Sequence, residues 1–315
     1  MNERLSQTYE VAQLYYIQNL TMDTIASRLG VSRATISRLL KNARETGMVQ
    51  IRLDDSYRTR HELEKRLGER YKVRVTLVNT KQDATPIARM SQVARSAAQI
   101  LDSLVDNGTS IGVGWGATLT EVSRHLLKRT LEGVRVVQLN GAGNAHHSGI
   151  PYLGTLLGRM VSAYDAYMIH FPVPAFFDFA DTKAAMWRER SIQATLQVQS
   201  RVDVAVFGIG AFGGAIPSHV YSGGYFDVTE QRLLREQGVV GDICTVLLRE
   251  DGSWNDLEIN RRASGPSPQE LSRIPRRICV ASGTHRAAAL RGALRTGAIT
   301  DLVLDEKLAR AVIEK

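Results

Sequence analysis

The sequence predicts an α/β protein: a small N-terminal helix-turn-helix domain, followed by a larger domain with a doubly wound, mostly parallel sheet. Helical spacing interrupted by a glycine turn characterises the N-terminal region, whereas β-branched runs alternate with helical stretches from residue 72 onward. The 315 residues are 43% hydrophobic and 23% charged, an ordinary globular composition. A chain of this length is expected to form about two domains.

The helix-turn-helix is predicted from the spacing of capping, small and apolar residues. A first helix is expected over roughly residues 5–18. Thr21 is the predicted N-cap of a second helix, which ends at Gly30, and Ser32 is the predicted N-cap of a third. Ala26 supplies the small residue that lets two helices cross closely.

The outer face of the third helix is polar and basic. The chain has a net charge of +8, and residues 28–52 contain six basic residues and a single acid. Such a surface favours a polyanion, although a solvated basic helix face is the alternative. Arg33 and Arg38 are expected to reach base edges, and Lys41 and Arg44 to reach phosphates. The predicted DNA-binding residues are Thr21, Ser32, Arg33, Ala34, Thr35, Ser37, Arg38, Lys41 and Arg44.

Two segments connect the predicted domains. Met48–Leu53 alternates apolar and polar residues, which predicts a short strand and hence a wing. Residues 58–70 predict a charged helix whose leucines, Leu63 and Leu67, suit packing against either a partner helix or the protein's own domain. The predicted domains are residues 1–56 for DNA binding, 57–71 as a linker helix, and 72–315 for effector binding and oligomerisation.

The larger domain is predicted from alternating strands and helices. The predicted strands are Val73–Val78, Ser110–Val113, Val134–Leu139, Val202–Ile209, Thr245–Leu248, Arg277–Ala281 and Leu302–Leu304. The predicted helices cover roughly 86–105, 117–128, 149–163, 229–237, 284–296 and 306–313. This order indicates a parallel sheet with both faces covered. Ligands of such folds bind at the carboxyl ends of the strands.

Glycine-bearing loops follow four of these strands. They are Gly112–Thr118, Asn140–Asn144, Gly208–Gly214 and Ser282–Arg286. Glycines let backbone N–H groups approach a ligand, and a helix beginning near Thr118 would offer its N-terminus to a phosphate. Each loop alone is explained equally well as a tight turn. Together they predict one pocket for an anion or a polyol.

Other site types find less support. Gly208-x-Gly210-x-x-Gly213 matches a dinucleotide fingerprint, but no helix opens directly behind it. His146-His147 has no third metal ligand at a suitable spacing, so no metal is expected. An enzyme acting on sugar phosphates would need a general base, for which Asp203, Asp242 and His285 are the candidates.

The cysteines and the N-terminus bear on the compartment. Cys244 and Cys279 lie in apolar runs outside any C-x-x-C motif and are expected to be buried and reduced. The sequence has no apolar signal-peptide core at its N-terminus and no run of about 18 apolar residues. A cytoplasmic protein is therefore the expectation.

These motifs together resemble those of the SorC/DeoR-type sugar-binding transcriptional regulators of bacteria, over essentially the whole chain. The N-terminal part of the resemblance runs from Tyr15-Tyr16 through Arg52. The motifs of the larger domain are Gly112-Val113-Gly114-Trp115-Gly116 with Thr118, Pro172-x-Pro174-Ala175, Gly208-Ile209-Gly210, Gly241-Asp242-Ile243-Cys244 and Leu304-Asp305-Glu306.

The resemblance implies a sensor domain folded like sugar-phosphate isomerases and glucosamine-phosphate deaminases, but acting without catalysis. It implies a phosphorylated sugar or sugar alcohol as effector, no cofactor, and dimers or tetramers on operator DNA. The effector-binding residues implied by position and by the strand-end loops are Gly114, Trp115, Gly116, Ala117, Thr118, Asn140, Gly141, Gly208, Gly210, Asp242 and Arg286.

Three positions depart from the family pattern. Arg286 stands where many members carry a lysine; it can hold a phosphate bidentately but cannot form a Schiff base. Asn140 replaces a lysine found in some relatives, and Thr245 replaces a glycine that usually follows the cysteine. An unphosphorylated polyol therefore remains an alternative effector, and nicotinamide sensing an alternative function. Activation and repression are both compatible with the sequence.

Overall fold

The computed structural model describes residues 3–51, 56–81, 83–146 and 148–314. The chain divides into two compact units, Met1–Tyr57 and Arg58–Lys315. The second unit therefore includes most of the helix that the sequence analysis treated as a linker.

The first unit is a helix-turn-helix. Its elements are α1 (Glu3–Ala12), a π-helical turn (Gln13–Ile17), α2 (Met22–Leu29) and α3 (Arg33–Glu45). Thr21 Oγ1 accepts the N–H of Thr24 at 3.2 Å, and Ser32 Oγ accepts the N–H of Thr35 at 3.1 Å. Both predicted caps are thus formed. Gly30 ends α2 in the left-handed region, with φ of 65°.

The predicted wing is wrong for the part of the segment that the structure describes. Residues 48–51 adopt no strand, and Arg52 and Leu53 lie outside the described residues. The N–H of Val49 donates to the carbonyl of Ala43 at 2.8 Å, so the chain folds back onto the end of α3. This hydrogen bond uses a donor that a strand would need for pairing.

The charged helix α4 (Ser56–Tyr71) packs on the larger unit. Leu63 and Leu67 are buried in its core, and Glu64 Oε1 accepts the N–H of Leu77 at 2.8 Å. Of the two interpretations left open by the sequence, the structure shows packing against the protein's own domain.

The rest of the larger unit alternates strands and helices. The first half contains β1 (Arg74–Val78), α5 (Pro86–Asp102), β2 (Ser110–Val113), α6 (Ala117–Arg124), β3 (Arg135–Gln138), α7 (Ile150–Tyr164), β4 (Tyr167–Ile169), α8 (Ala180–Met186) and α9 (Arg190–Gln199). The second half contains β5 (Val204–Gly208), β6 (Gly210–Ala211), α10 (His219–Ser222), α11 (Val228–Glu236), β7 (Val239–Ile243), β8 (Val246–Arg249), α12 (Pro268–Leu271), β9 (Arg276–Ala281), α13 (Ala287–Arg295), β10 (Asp301–Asp305) and α14 (Glu306–Ile313). Short 3₁₀ helices cover Glu258–Arg261 and Thr284–Arg286.

Seven strands form one parallel sheet in the order β1-β10-β9-β5-β2-β3-β4. The chain runs from β2 outward to β4, then returns to β5 on the other side of β2, so the strand order reverses between β2 and β5. A separate antiparallel sheet has the order β6-β7-β8. The predicted strand Thr245–Leu248 belongs to this small sheet, and strands β4, β6 and β7 were not predicted from the sequence.

Both faces of the parallel sheet are covered, as predicted. In β5, Ala205 and Phe207 belong to one buried cluster, whereas Val204 and Val206 belong to another. Side chains alternate between faces along a strand, so each face needs its own helical layer. Helices α4, α13 and α14 contribute to the first cluster, and α5, α6 and α7 to the second.

Candidate functional site

The basic surface of the helix-turn-helix lies on the solvent side of α3. Ile36, Leu39 and Leu40 are buried, which turns the polar residues outward. The predicted DNA-binding residues that are exposed are Thr21, Ser32, Arg33, Ala34, Ser37, Arg38, Lys41 and Arg44; Thr35 is half-buried.

The charged side chains of this surface make weak internal contacts. Arg33 Nε lies 3.5 Å from Asp23 Oδ1, and Lys41 Nζ lies 3.6 Å from a carboxylate oxygen of Glu45. All four side chains are about two-thirds exposed or more, and exposed ion pairs contribute at most about 1 kcal/mol. Arginine and lysine can therefore exchange these partners for phosphates at little cost.

A cleft opens at the carboxyl ends of the parallel strands, where the strand order reverses between β2 and β5. We call it the effector cleft, after the ligand pocket that the strand-end loops predicted; it encloses about 540 Å³, part of it open to solvent. Of the predicted residues, those lining it are Gly114, Trp115, Gly116, Ala117, Thr118, Asn140, Gly208, Gly210, Asp242 and Arg286. A reversal point is where open α/β sheets bind ligands.

The N-terminus of α6 forms one wall of the effector cleft. The first N–H groups of a helix have no intrahelical acceptor, and those of Ala117 and Thr118 lie in this first turn. Gly116 precedes them with φ of 145°, a conformation that L side chains rarely adopt. Trp115 is anchored beside them, because its Nε1 donates to the carbonyl of Gly141 at 2.8 Å.

Asp242 is the one carboxylate among the residues that line the cleft. It lies on β7 and is 4% exposed. Oδ2 accepts the N–H of Thr245 at 3.1 Å, whereas buried Oδ1 makes no hydrogen bond of good geometry in the described part of the chain. The buried hydroxyl of Tyr221 is a further donor that interacts with this carboxylate. Burial raises the pKa of Asp242 to about 6, against the lowering effects of the Thr245 N–H and the Tyr221 hydroxyl.

Gly210 and a strained turn hold this carboxylate in place. A Cβ on Gly210 would overlap Asp242 Oδ1, so any other residue there would displace the carboxylate. Cys244 and Thr245 join β7 to β8 with φ of 47° and 70°. Left-handed conformations are unfavourable for non-glycine residues, above all β-branched ones. This strain explains physically why a glycine suits the position of Thr245.

Asn140 and Gly141 have different roles. Asn140 is 1% exposed, and its Oδ1 lacks a hydrogen-bond partner among the described residues. Gly141 does not line the cleft, contrary to the prediction. A Cβ there would overlap the carbonyls of Val173 and Pro174, and its N–H donates to Ser264 Oγ at 3.0 Å. Gly141 is therefore a packing position.

Arg286 is 6% exposed and is largely occupied by the protein itself. Its guanidinium donates to the carbonyls of Ile209 at 3.1 Å, Ser282 at 2.7 Å and Ile216 at 3.2 Å. It ties together the loop behind β5, and only the remaining N–H bonds of its five are left for a ligand.

Part of the lining was not predicted from the sequence. Pro217, Ser218, His219 and Val220 come from the segment around α10. They lack a glycine motif or a strand end, so the signal that found the other loops is missing. His219 lies edge-on to Trp115, with ring centroids 6.0 Å apart.

The structure also places the other chemistry-bearing residues, of which Cys244 lines the effector cleft. Asp203 precedes β5, at the amino end of the sheet, and accepts the N–H of Ser110 at 2.8 Å. Cys244 and Cys279 are buried free thiols. The described residues contain no cluster of metal ligands and no helix that could span a membrane. His147, half of the predicted histidine pair, lies outside the described residues.

Comparison with known proteins gives a family match for each of the two parts of the chain. Residues 55–314 match the family described as "Putative sugar-binding domain", and residues 7–46 match "Sigma-70, region 4". The deoxyribonucleoside regulator of Bacillus subtilis (strain 168) is 30% identical over 311 residues, 99% of this chain and 98% of that protein.

Two solved structures are similar. A domain of a "possible sugar-binding transcriptional regulator" from Arthrobacter aurescens TC1 is 45% identical with a TM-score of 0.74, covering 80% of this chain and 96% of that one. The full-length sorbitol operon regulator SorC from Klebsiella pneumoniae has the same fold, at 24% identity and a TM-score of 0.70, covering 98% of this chain and 99% of that one.

A helix-turn-helix joined to a sugar-binding α/β domain defines a DNA-binding regulator of transcription. The chain belongs to the SorC/DeoR-type family of sugar-binding transcriptional regulators. Relatives that match along nearly their whole length are named as regulators, not as enzymes.

Proposed function

We propose that the protein changes its affinity for operator DNA when a phosphorylated sugar or sugar alcohol binds in the effector cleft. The observation that carries this proposal is the pairing of two features in one cleft. Asp242 and Asn140 both line the cleft, and each has a buried oxygen that makes no hydrogen bond of good geometry among the described residues. The N-terminus of α6 lies at the wall of the same cleft. Oxygen acceptors suit hydroxyl groups, and helix N-termini suit phosphates.

The names of the relatives support the same class of effector. Similar proteins are named as a deoxyribonucleoside regulator and a sorbitol operon regulator. A deoxyribonucleoside contains a sugar, and sorbitol is a sugar alcohol. In our proposal the hydroxyl groups bind Asp242 and Asn140, and the phosphate binds the backbone of Gly116, Ala117 and Thr118. Arg286 contributes mainly by holding the surrounding loop.

We propose that α3 reads DNA in the major groove. Arg33 and Arg38 would contact base edges, and Lys41 and Arg44 the phosphates, because cationic side chains on one exposed helix face suit both tasks. Residues 72–315 would also carry the contacts of a dimer or tetramer, since two symmetric half-sites require two copies of α3.

The effector is tested by calorimetric titration of the full-length protein with sugar phosphates and the corresponding free sugars and polyols. DNA binding is followed by fluorescence anisotropy, on a duplex that the wild-type protein selects from a random pool. A sugar phosphate is expected to bind and to change DNA affinity, while its free counterpart binds at least about tenfold more weakly. Equal binding of the two would refute the phosphate assignment.

Two variants separate the sites. Asp242→Asn is expected to lose effector response while it still binds DNA, and Arg38→Ala is expected to lose DNA affinity while it still binds the effector. If Asp242→Asn keeps the full response, the effector lies elsewhere.

A further inference from the structure

A second cleft shares Arg286 with the effector cleft. It is lined by Pro86, Arg89, Ala215, Ile216 and residues 282–286, and it encloses about 480 Å³, part of it open to solvent. We call it the arginine cleft. It lies at the carboxyl end of β9 and beside the first turn of α5, which carries Arg89.

Arg89 is held in this cleft with incomplete hydrogen bonding. Its side chain is 13% exposed, and Nη2 donates to the carbonyl of Ala84 at 3.2 Å. Nε is buried and has no hydrogen-bond partner in the described part of the chain. A buried donor without a hydrogen-bond acceptor lowers the stability of the folded state, so a ligand that accepts this hydrogen bond would be favoured.

The carboxylate of Asp305 does not supply the missing hydrogen bond to Arg89. Asp305 Oδ1 lies 4.0 Å from Arg89 Nε, beyond hydrogen-bond distance. Both oxygens of Asp305 already accept backbone N–H groups, from Gly283 at 2.8 Å and from Leu308 at 3.1 Å.

The local charge is therefore unbalanced. Arg89 and Arg286 contribute two positive charges, and Asp305 contributes one negative charge. Arg286 is paired only with carbonyls. His285 Nε2 is buried without a hydrogen-bond partner among the described residues, and burial followed by the charge of Arg286 lowers the pKa of His285, so its ring adds a neutral donor or acceptor. One anionic group would satisfy both the charge and the open donors.

We infer that the arginine cleft binds a phosphoryl group, at a site distinct from the place proposed for the effector's own phosphate at α6. A planar guanidinium presents parallel N–H donors that match a tetrahedral oxyanion. Thr284 is exposed at this cleft and adds a hydroxyl. The inference does not require the proposed effector to be correct, because it uses none of the groups assigned to hydroxyl recognition.

Inorganic phosphate is the probe for the test. It is titrated into the full-length protein by calorimetry, with chloride at equal ionic strength as the reference. Saturable binding is expected in the wild-type protein, about tenfold weaker binding in Arg89→Gln, and unchanged binding in Arg95→Gln, which removes an exposed arginine of the same helix. Thr284→Glu is the second variant, because it places a negative charge at the exposed edge of the cleft, and it is expected to weaken phosphate binding as well.

Further variants separate this site from the other two. Asp242→Asn and Arg38→Gln are expected to bind phosphate like the wild-type protein. The inference is overturned if phosphate binds no better than chloride, if Arg89→Gln and Thr284→Glu both bind normally, or if either separating variant abolishes binding. The source of the phosphoryl group is identified by comparing the affinities of a sugar bisphosphate and a sugar monophosphate. If the bisphosphate binds more tightly and this difference disappears in Arg89→Gln, the site holds the second phosphoryl group of an effector. If the two bind equally, the site holds the free anion.

Discussion

Replacing Asp242 with asparagine should make the protein more stable, although it removes a carboxylate that we propose binds the effector. Burial raises the pKa of this carboxyl from its ordinary value of 3.8 to about 6, so the folded state holds the proton more tightly than the unfolded state does. A rise of about two in the pKa corresponds to about 3 kcal/mol against the folded state once the group is ionised.

The sign of this effect sets its pH dependence. Below pH 3.8 both states are protonated and the penalty is absent; it grows as the pH rises and is complete above pH 6. The asparagine variant is therefore expected to gain up to about 3 kcal/mol at pH 8 and about half of that at pH 5. The gain in stability is reduced by the cost of burying the asparagine NH₂ group without a full set of hydrogen-bond acceptors.

Urea denaturation of the full-length protein at pH 5 and pH 8 measures both values. Asp301→Asn is the control with the opposite sign. Burial acts to raise the pKa of Asp301, but hydrogen bonds from Arg74, Arg276 and Thr300 hold it below its usual range. Losing these hydrogen bonds should destabilise the protein by about 1–3 kcal/mol at both pH values. If Asp242→Asn is less stable than the wild type at pH 8, or differs from it equally at both pH values, the reasoning fails.

Three further predictions concern glycine geometry and DNA contacts. Gly210→Ala should cost about 1–3 kcal/mol and abolish effector binding, because the methyl group overlaps the Asp242 carboxylate; calorimetry that finds normal affinity would contradict this. Gly30→Ala should lower the melting temperature of the helix-turn-helix through a cost of about 1–2 kcal/mol at its left-handed φ of 65°, whereas an unchanged melting curve would exclude that strain. Lys41→Ala should reduce the salt dependence of DNA binding by about one phosphate contact, on every sequence alike; a change limited to one sequence would point to a base contact instead.

Local features of the sequence determined much of this protein. The caps Thr21 and Ser32 and the turn at Gly30 were predictable because their hydrogen bonds and backbone angles involve residues a few positions apart. The two covered faces of the sheet were predictable because buried parallel strands are apolar on both sides. The glycine loops after β2 and β5 predicted two walls of the effector cleft, because glycines directly after a strand are also a local feature of the sequence.

The tertiary structure decided which groups meet and which are already occupied. Asp242 belongs to a small antiparallel sheet that no periodic pattern in the sequence predicted. Arg286 donates to the carbonyls of Ile209 and Ile216, which lie 77 and 70 residues away from it in the sequence. Gly141 turned out to be a packing position, and Leu67 a core residue of the larger unit. Residue patterns report burial and backbone conformation along the chain, but contacts between distant segments depend on how the whole chain packs.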